Sequence, residues 1–474
     1  MHLRWVTQMI AASSIRTEIR ETLRVAAPLA VANLAQMSMG FVDTVMVGHL
    51  NSAALAAAGL GALLYFTTGF VLQGVISAVA PLAAHALGAD DREMAARMAR
   101  LGFAFAVVLS LPLAVGAANL RSLLLTFGYG ASLAHEIGRF LSAVVWGAPA
   151  LLGFAALRSL FAALSRTRAV MLVVMCCIPA NVALNWILIF GHLGAPRLGV
   201  AGAGVASAIV QWLMFGGLAV HARTVPGFPA LWAFRVPKPG DWCDARDLLR
   251  LGAPIGGILA LEVGVFVAAS VLMGLIGADA LAANQIVLNV ASITFMVPMG
   301  IAQAATVRCA FELGARRPRG ARRASVVALG LGVTFMAAAA IMLWSVPKTI
   351  IGVYLDVDAA SNQGVVGIAM RLMIIAALFQ IFDGTQTVAA GALRGYKDTA
   401  VPMLIAGIGY WGIGFIGGWW LAFPLGYGAV GLWWGLALGL AVVATLLGIR
   451  LFRLADNAGP RSITPNPLPA PTAH

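Results

Sequence analysis

Apolar runs of about twenty residues follow one another along the chain, interrupted by short segments where charges, glycines and prolines collect. Twenty helical residues rise about 30 Å, the depth of a bilayer's hydrocarbon core. Dividing the chain at the polar interruptions predicts twelve spans: 25–48, 54–80, 99–119, 140–164, 169–191, 200–221, 250–276, 282–307, 324–346, 370–393, 401–422 and 429–451. A membrane β-barrel needs apolar and polar residues in strict alternation, which is absent. Lipid offers no partners to backbone polar groups, so the spans are expected to be helices. The expected fold class is an all-α integral membrane protein.

The chain repeats itself at an offset of 226 residues. Leu23-Arg24 and Ala27-Pro28 match Leu249-Arg250 and Ala253-Pro254. Gly74 matches Gly300, and Leu87-Gly88-Ala89 matches Leu313-Gly314-Ala315. Shared alanines at 54–57 and 280–283 add little in an Ala-rich chain; the Pro, Arg and Gly matches carry the weight. Six spans per copy is an even number, so both copies point the same way across the membrane. Two pseudo-symmetric six-helix bundles are expected, at 25–222 and 249–453, with a substrate cavity between them. The segment 1–24 precedes them on the cytoplasmic side. The linker 223–248 carries Pro226, Pro229, Pro237 and Pro239 and reads as a cytoplasmic hinge or tether, and 454–474 as a disordered cytoplasmic tail.

Composition agrees: 61% of residues are hydrophobic, 10% are charged, and the 474-residue chain carries a net charge of +13. A basic chain of this kind is not read as a nucleic-acid binder, because its basic residues sit in short loops between apolar spans. If the N-terminus is cytoplasmic, 25 of the 31 Lys and Arg residues fall on that side and five on the other; Arg158 lies within span 4. That asymmetry predicts cytoplasmic termini. No cleavable signal is apparent, so span 1 serves as its own. Cys176, Cys177, Cys243 and Cys309 show no metal-ligand spacing, so free thiols and no metal centre are expected.

Three carboxylates fall inside the apolar runs: Asp43, Glu262 and Asp383. A charged side chain at mid-membrane costs roughly 2.5–3.5 kcal/mol on insertion scales, so such residues usually face a cavity and handle ions or substrate. In span 1, Asn33, Gln36, Gly40 and Asp43 follow at steps of three, four and three and share a helical face. Asn33 and Gln36 read equally well as glue between helices. Asn181 and Asn185 in span 5, at i and i+4, are placed to hydrogen-bond Asp43. Glu262 in span 7 has glutamine, Gln36, at its equivalent position. Span 10 sets Gln380, Asp383 and Thr387 on one face, and span 8 sets Gln285, Asn289 and Ser292 on another. No Lys or Arg occupies the middle of spans 7, 8 or 10. Carboxyls left without counter-ions in a low dielectric can exchange protons. Carboxylates beside Asn, Gln and Thr oxygens equally make a hard-oxygen site for an alkali cation. The coupling ion is H+ or Na+. One charge crossing 100 mV yields about 2.3 kcal/mol, enough for about a fiftyfold gradient.

Asp356 and Asp358, in the outer loop before span 10, either attract cationic substrate at a mouth or belong to an ordinary solvated loop. Arg394, Lys397 and Asp398 read as a cytoplasmic anchor, and His49, His85, His135 and His192 as interfacial.

At these residues the chain resembles the multidrug and toxic compound extrusion (MATE) family, in its bacterial branch that exports fluoroquinolones and organic cations. The resemblance rests on Gln36-Met-Ser-Met-Gly-Phe-Val-Asp-Thr-Val-Met-Val-Gly48, on Asn284-Gln285-Ile-Val-Leu-Asn289 through Pro298-Met-Gly-Ile-Ala-Gln-Ala-Ala-Thr-Val-Arg308, and on Ala390-Gly-Ala-Leu-Arg-Gly-Tyr-Lys-Asp-Thr399. It covers roughly residues 20–453. It implies two six-helix bundles in a V, open alternately to each side, exchanging inward cations for outward drug. It implies Glu262 and Asp383 as cation ligands, Asp43 as the acid of the first half, and Asp356 with Asp358 as an acidic pair at the substrate mouth. Two departures stand out: Cys309 replaces a small residue or Val, and Ala283-Asn284-Gln285 replaces Ala-His-Gln, which puts a protonatable role at position 284 in doubt.

The reading that joins these observations is a cation-coupled multidrug antiporter of the bacterial inner membrane. It needs no soluble cofactor, has drugs and the bilayer as partners, no nucleic acid, and is a monomer. The alternative of a related two-lobed fold is a flippase for lipid-linked saccharides, which should line its cavity with basic residues for pyrophosphate. An intramembrane enzyme would show HExxH, GxSxG or paired catalytic aspartates, none of which is found; two six-span lobes favour rocking over the permanent pore of a channel.

Overall fold

A computed structural model describes residues 15–126, 128, 130–225 and 238–457. The proline-rich stretch 226–237 and the tail from 458 lie outside the described residues. Among the described residues, twelve helices long and apolar enough to cross a membrane follow in order. They are α1 Ile15–Gly48, α2 Ser52–Gly88, α3 Arg92–Thr126, α4 Ala131–Ala163, α5 Thr167–Phe190 and α6 Val200–Thr224. The second set is α7 Pro239–Ile276, α8 Ala278–Gly314, α9 Pro318–Ser345, α10 Ala360–Gly395, α11 Ala400–Ala422 and α12 Gly428–Asn457. All twelve expected spans are present, most of them longer than their apolar cores because the helices continue past the hydrophobic stretch. α1 begins ten residues before the expected start, since Ile15–Arg24 is polar yet helical.

Local chemistry sets the ends and the bends. Asn51 caps α2 by accepting from the Ala54 amide at 2.7 Å. Gly191 closes α5 at φ +80°, a left-handed position that suits glycine. Pro28 and Pro254, equivalent in the repeat, interrupt the backbone bonding of α1 and α7. α2 is broken at Ser77–Ala78, α4 by a tight turn at Val145–Gly147, and α11 carries a widened π stretch, Ile408–Phe415.

The helices form two lobes, α1–α6 and α7–α12. α1 and α2 pack on α7 and α8 across the interface. These contacts gather at the face that carries both ends of the described chain, here the terminal face. A Cβ at Gly88 would collide with the Phe311 carbonyl, and one at Gly314 with the His85 carbonyl. A Cβ at Gly74 would stand 3.0 Å from Gly256 Cα, and one at Gly300 2.8 Å from the Ala30 nitrogen. Each of these pairs maps onto the other at the offset of 226. The helix ends agree: Asp90 and Arg316 are both left-handed, at φ 59° and 57°. The amides that follow them bond back to Ala86 O at 2.9 Å and Glu312 O at 2.8 Å. The repeat found in sequence is therefore a two-fold seam at which glycines let backbones touch.

Two buried ion pairs reinforce this face. Arg308 of α8 donates to both oxygens of Glu18 in α1, at 3.0 and 2.8 Å. Arg100 of α3 donates to both oxygens of Asp241, at 2.7 and 3.0 Å. The end of the linker therefore enters α7 pinned to the first lobe. Toward the opposite face the lobes part around a cavity of about 740 Å³, which reaches Gly274 and Leu281 near that face.

Candidate functional site: two acids and a basic floor in the central cleft

The large cavity is walled by α7, α8 and α10, with Leu63 and Phe70 of α2 facing them from the first lobe. Most of its wall is apolar, including Phe266, Phe295, Phe379 and Met296. Its polar groups lie on α7, α8 and α10. Glu262 and Asp383 both line it, within range of each other's charge. Gln285, Ser292, Gln386 and Thr387 line it as well.

Asp383 is 5% exposed. Its Oδ1 accepts from Gln386 Nε2 at 3.3 Å, and Gln386 is held in turn by Tyr410, whose hydroxyl donates to Oε1 at 2.7 Å. Tyr410 lies in the π stretch of α11, a distortion that recurs at functional positions because it re-aims side chains. Glu262 accepts no hydrogen bond among the described residues. No Lys, Arg or His nitrogen there comes within 4.0 Å of Glu262, Asp383 or Asp43.

Two expected neighbours play other parts. Gln380 is fully buried and accepts from Thr294 at 2.6 Å, so it ties α10 to α8. Asn289 is exposed and bonds back to Gln285 O at 3.0 Å. Asn284, at the departure from the resemblance, accepts from Trp433 at 3.0 Å and donates to Ser270 at 3.2 Å. It bridges α12 and α7. Asp356 and Asp358 sit in an exposed turn in which the Asp358 amide bonds Asp356 Oδ1 at 3.0 Å, outside the cavity lining.

In the first lobe Asp43 is caught from three sides. Its Oδ1 accepts from Asn181 at 2.8 Å and Asn185 at 2.5 Å, as the i, i+4 spacing suggested. Its Oδ2 accepts from Ser207 of α6 at 3.1 Å, a partner with no signal in the sequence beyond a hydroxyl on an apolar helix.

One arginine corrects the sequence reading and a second adds to it. Arg394 is no cytoplasmic anchor: it lines the cleft, and its charge acts on Glu262. Its distance from Glu262 exceeds an ion pair, so the acid is balanced at range without being locked. Arg158 of α4 lies at the lobe interface. Its Nη2 donates to Asn33 at 2.5 Å and to Gln303 of α8 at 2.8 Å, and its Nη1 to Gln36 at 3.4 Å. Asn33 also reaches Met296 O at 3.5 Å, across the lobes. The polar stripe of α1 thus divides, with Asn33 and Gln36 serving as interhelical glue around an arginine and Asp43 forming a separate site.

Comparison with known proteins decides the family. A family model described as MatE matches residues 28–187 and 254–420. The chain belongs to the MatE family. Its two matched blocks fall in the two lobes, and the family is one of membrane transporters, not enzymes. Among curated relatives, the probable multidrug resistance protein NorM of Burkholderia mallei is 43% identical over 446 residues, 93% of this chain and 94% of its own. The multidrug resistance protein NorM of Burkholderia vietnamiensis is 43% identical over 444 residues, 93% of this chain and 95% of its own. The fold matches the crystal structure of the eukaryotic MATE transporter AtDTX14 with a TM-score of 0.81, over 94% of this chain and 98% of that one, at 23% identity. It also matches an outward-facing conformation of a multidrug resistance MATE transporter with a TM-score of 0.82, over 93% and 96%, at 16% identity. This chain is a MATE-family transporter with twelve helices, among the described residues, long and apolar enough to span a membrane. Within that fold, Arg394, Gln386 and Gln303 line the cleft, Tyr410 holds Gln386 and Arg158 adjoins it, none of them assigned to the candidate site by the sequence reading. Gln386 was within reach, three residues after Asp383.

Proposed function

We propose that this protein is a cation-driven antiporter that exports amphipathic, often cationic drugs by alternating access. The observation that carries the reading is the pairing of Glu262 and Asp383 in one apolar cleft, neither held in an ion pair. Each can accept H+ or Na+ at modest structural cost. Uptake of the coupling cation removes the negative charge that favours a cationic substrate in the cleft, so the two compete for the same acids. Asp43 is the acid of the first lobe in this reading, already surrounded by donors. The exposed pair Asp356 and Asp358 stands near the opposite face, where acids raise the local concentration of cations.

The orientation follows from the basic loops: both termini lie in the cytoplasm of a bacterial inner membrane. The cleft then opens outward, and the glycine seam with the Glu18–Arg308 pair closes the cytoplasmic side. The names of the NorM relatives support drugs as the cargo. The rival flippase reading asks for a basic cavity. The cleft has Arg158 and Arg394 at its floor, but the first is bonded to three amides and Glu262 and Asp383 share the wall. That mixture suits organic cations and zwitterions better than a pyrophosphate.

Reconstitution tests the reading. Proteoliposomes with separately imposed H+ and Na+ gradients should accumulate ethidium or norfloxacin under one gradient, and Glu262→Gln or Asp383→Asn should abolish that response. Unchanged cation-driven uptake in both variants refutes the coupling roles.

A further inference from the structure

Below the drug-sized cavity, and sharing Phe70, Leu259, Met299, Gln303 and Arg394 with it, lies a second space of about 120 Å³. It is too small for a drug, since ligand pockets run from about 300 Å³. It is large enough for one small polar group. Its lining includes Arg158 and Arg394 and contains no Asp or Glu. Gln73, Ser77 and Ser159 add further polar groups.

The guanidinium of Arg394 makes no hydrogen bond among the described residues, and its Nε is buried without a partner. Arg158 has only neutral amide oxygens as acceptors. Among the described residues, the carboxylate whose charge reaches Arg394 is Glu262, on the cavity side and beyond ion-pair distance. Two half-buried guanidiniums thus line one small space, and donors of Arg394 are left unused there. Buried charges are normally paired, and a guanidinium matches a carboxylate through parallel N–H donors.

We propose that Arg158 and Arg394 form an anion subsite at the floor of the cleft that takes a single monoanionic group. Its source is either the carboxylate of a zwitterionic substrate, whose ammonium end lies toward Glu262 and Asp383, or a chloride ion. Arg158 belongs to the first lobe and Arg394 to the second, so the shared anion also bridges the lobes at the closed end. The inference deepens the drug-transport reading and rests on it for the substrate carboxylate.

The experiment uses the purified full chain. Binding of norfloxacin, its methyl ester and ethidium is measured in chloride and in gluconate at equal ionic strength. If the substrate supplies the anion, the free acid binds at least about tenfold more tightly than the ester in gluconate. That ratio falls toward one in Arg394→Gln and Arg158→Gln, whatever the overall affinity, and Arg394→Lys restores part of it. If chloride supplies it, the acid and ester bind alike, and tryptophan fluorescence titrates with chloride in the wild type but not in Arg394→Gln. An acid-to-ester ratio near one together with no chloride response in the wild type overturns the proposal. Failure of the wild type to bind ethidium overturns the drug-site reading instead, and the chloride titration still judges the arginine pair.

Discussion

In the first lobe Asp43 receives three hydrogen bonds, from Asn181, Asn185 and Ser207. In the second, Asp383 receives one and Glu262 none among the described residues. The two lobes share a fold, a repeat and a matching seam, yet hold their acids in opposite ways. Donors that surround a carboxylate favour its charged form and reduce what a proton or metal ion could gain by binding. Acids lining an apolar wall with a single donor between them keep that capacity. Divergence at one residue, Gln36 against Glu262, is where this contrast shows in the sequence.

The strongest way to break the comparison is to neutralise each acid in turn. Glu262→Gln and Asp383→Asn should reduce gradient-driven drug uptake to that of empty liposomes. Asp43→Asn should slow uptake and leave it gradient-dependent. Equal loss in all three would erase the proposed division between lobes.

Next in size is the closed face. Arg308→Ala leaves Glu18 buried without its partner and should cost about 3–5 kcal/mol. It should lower the melting temperature in detergent by several degrees. The seam makes a symmetric demand: Gly88→Val and Gly314→Val should each cost about 1–3 kcal/mol. Both should loosen the terminal face to a similar degree, read as disulfide cross-linking yield between cysteines placed across it. A large difference between them would show that the seam is less symmetric in use than in form. The smallest expected effect is Ser207→Ala, about 1 kcal/mol by thermal denaturation, because two donors to Asp43 remain.

The spans, the repeat and the three intramembrane acids were legible in the sequence, because each breaks or follows a simple pattern: twenty apolar residues, a fixed offset, a charge among apolar neighbours. The parts played by the arginines were not legible, although Arg158 was already placed within span 4. Helical side chains lean toward the helix N-terminus. α4 and α10 both run toward the terminal face, so Arg158 and Arg394, late in their helices, reach back into the membrane. Counting Arg394 as a loop residue placed its charge on the wrong side of its own α-carbon. Gln380 illustrates a different limit: it shares a helical face with Asp383, yet Thr294 of α8 claims it, and such partners depend on packing between helices distant in sequence.

The matched seam has a consequence for ancestry. Gly74 against Gly256 and Gly300 against Ala30 are a single contact written twice, as are Gly88 against Phe311 and Gly314 against His85. That is the geometry of an isologous interface. A six-helix polypeptide bearing only one such set of small residues would already fit its own twin. Joining two such copies in one chain would free each half to change its buried chemistry without losing its mate.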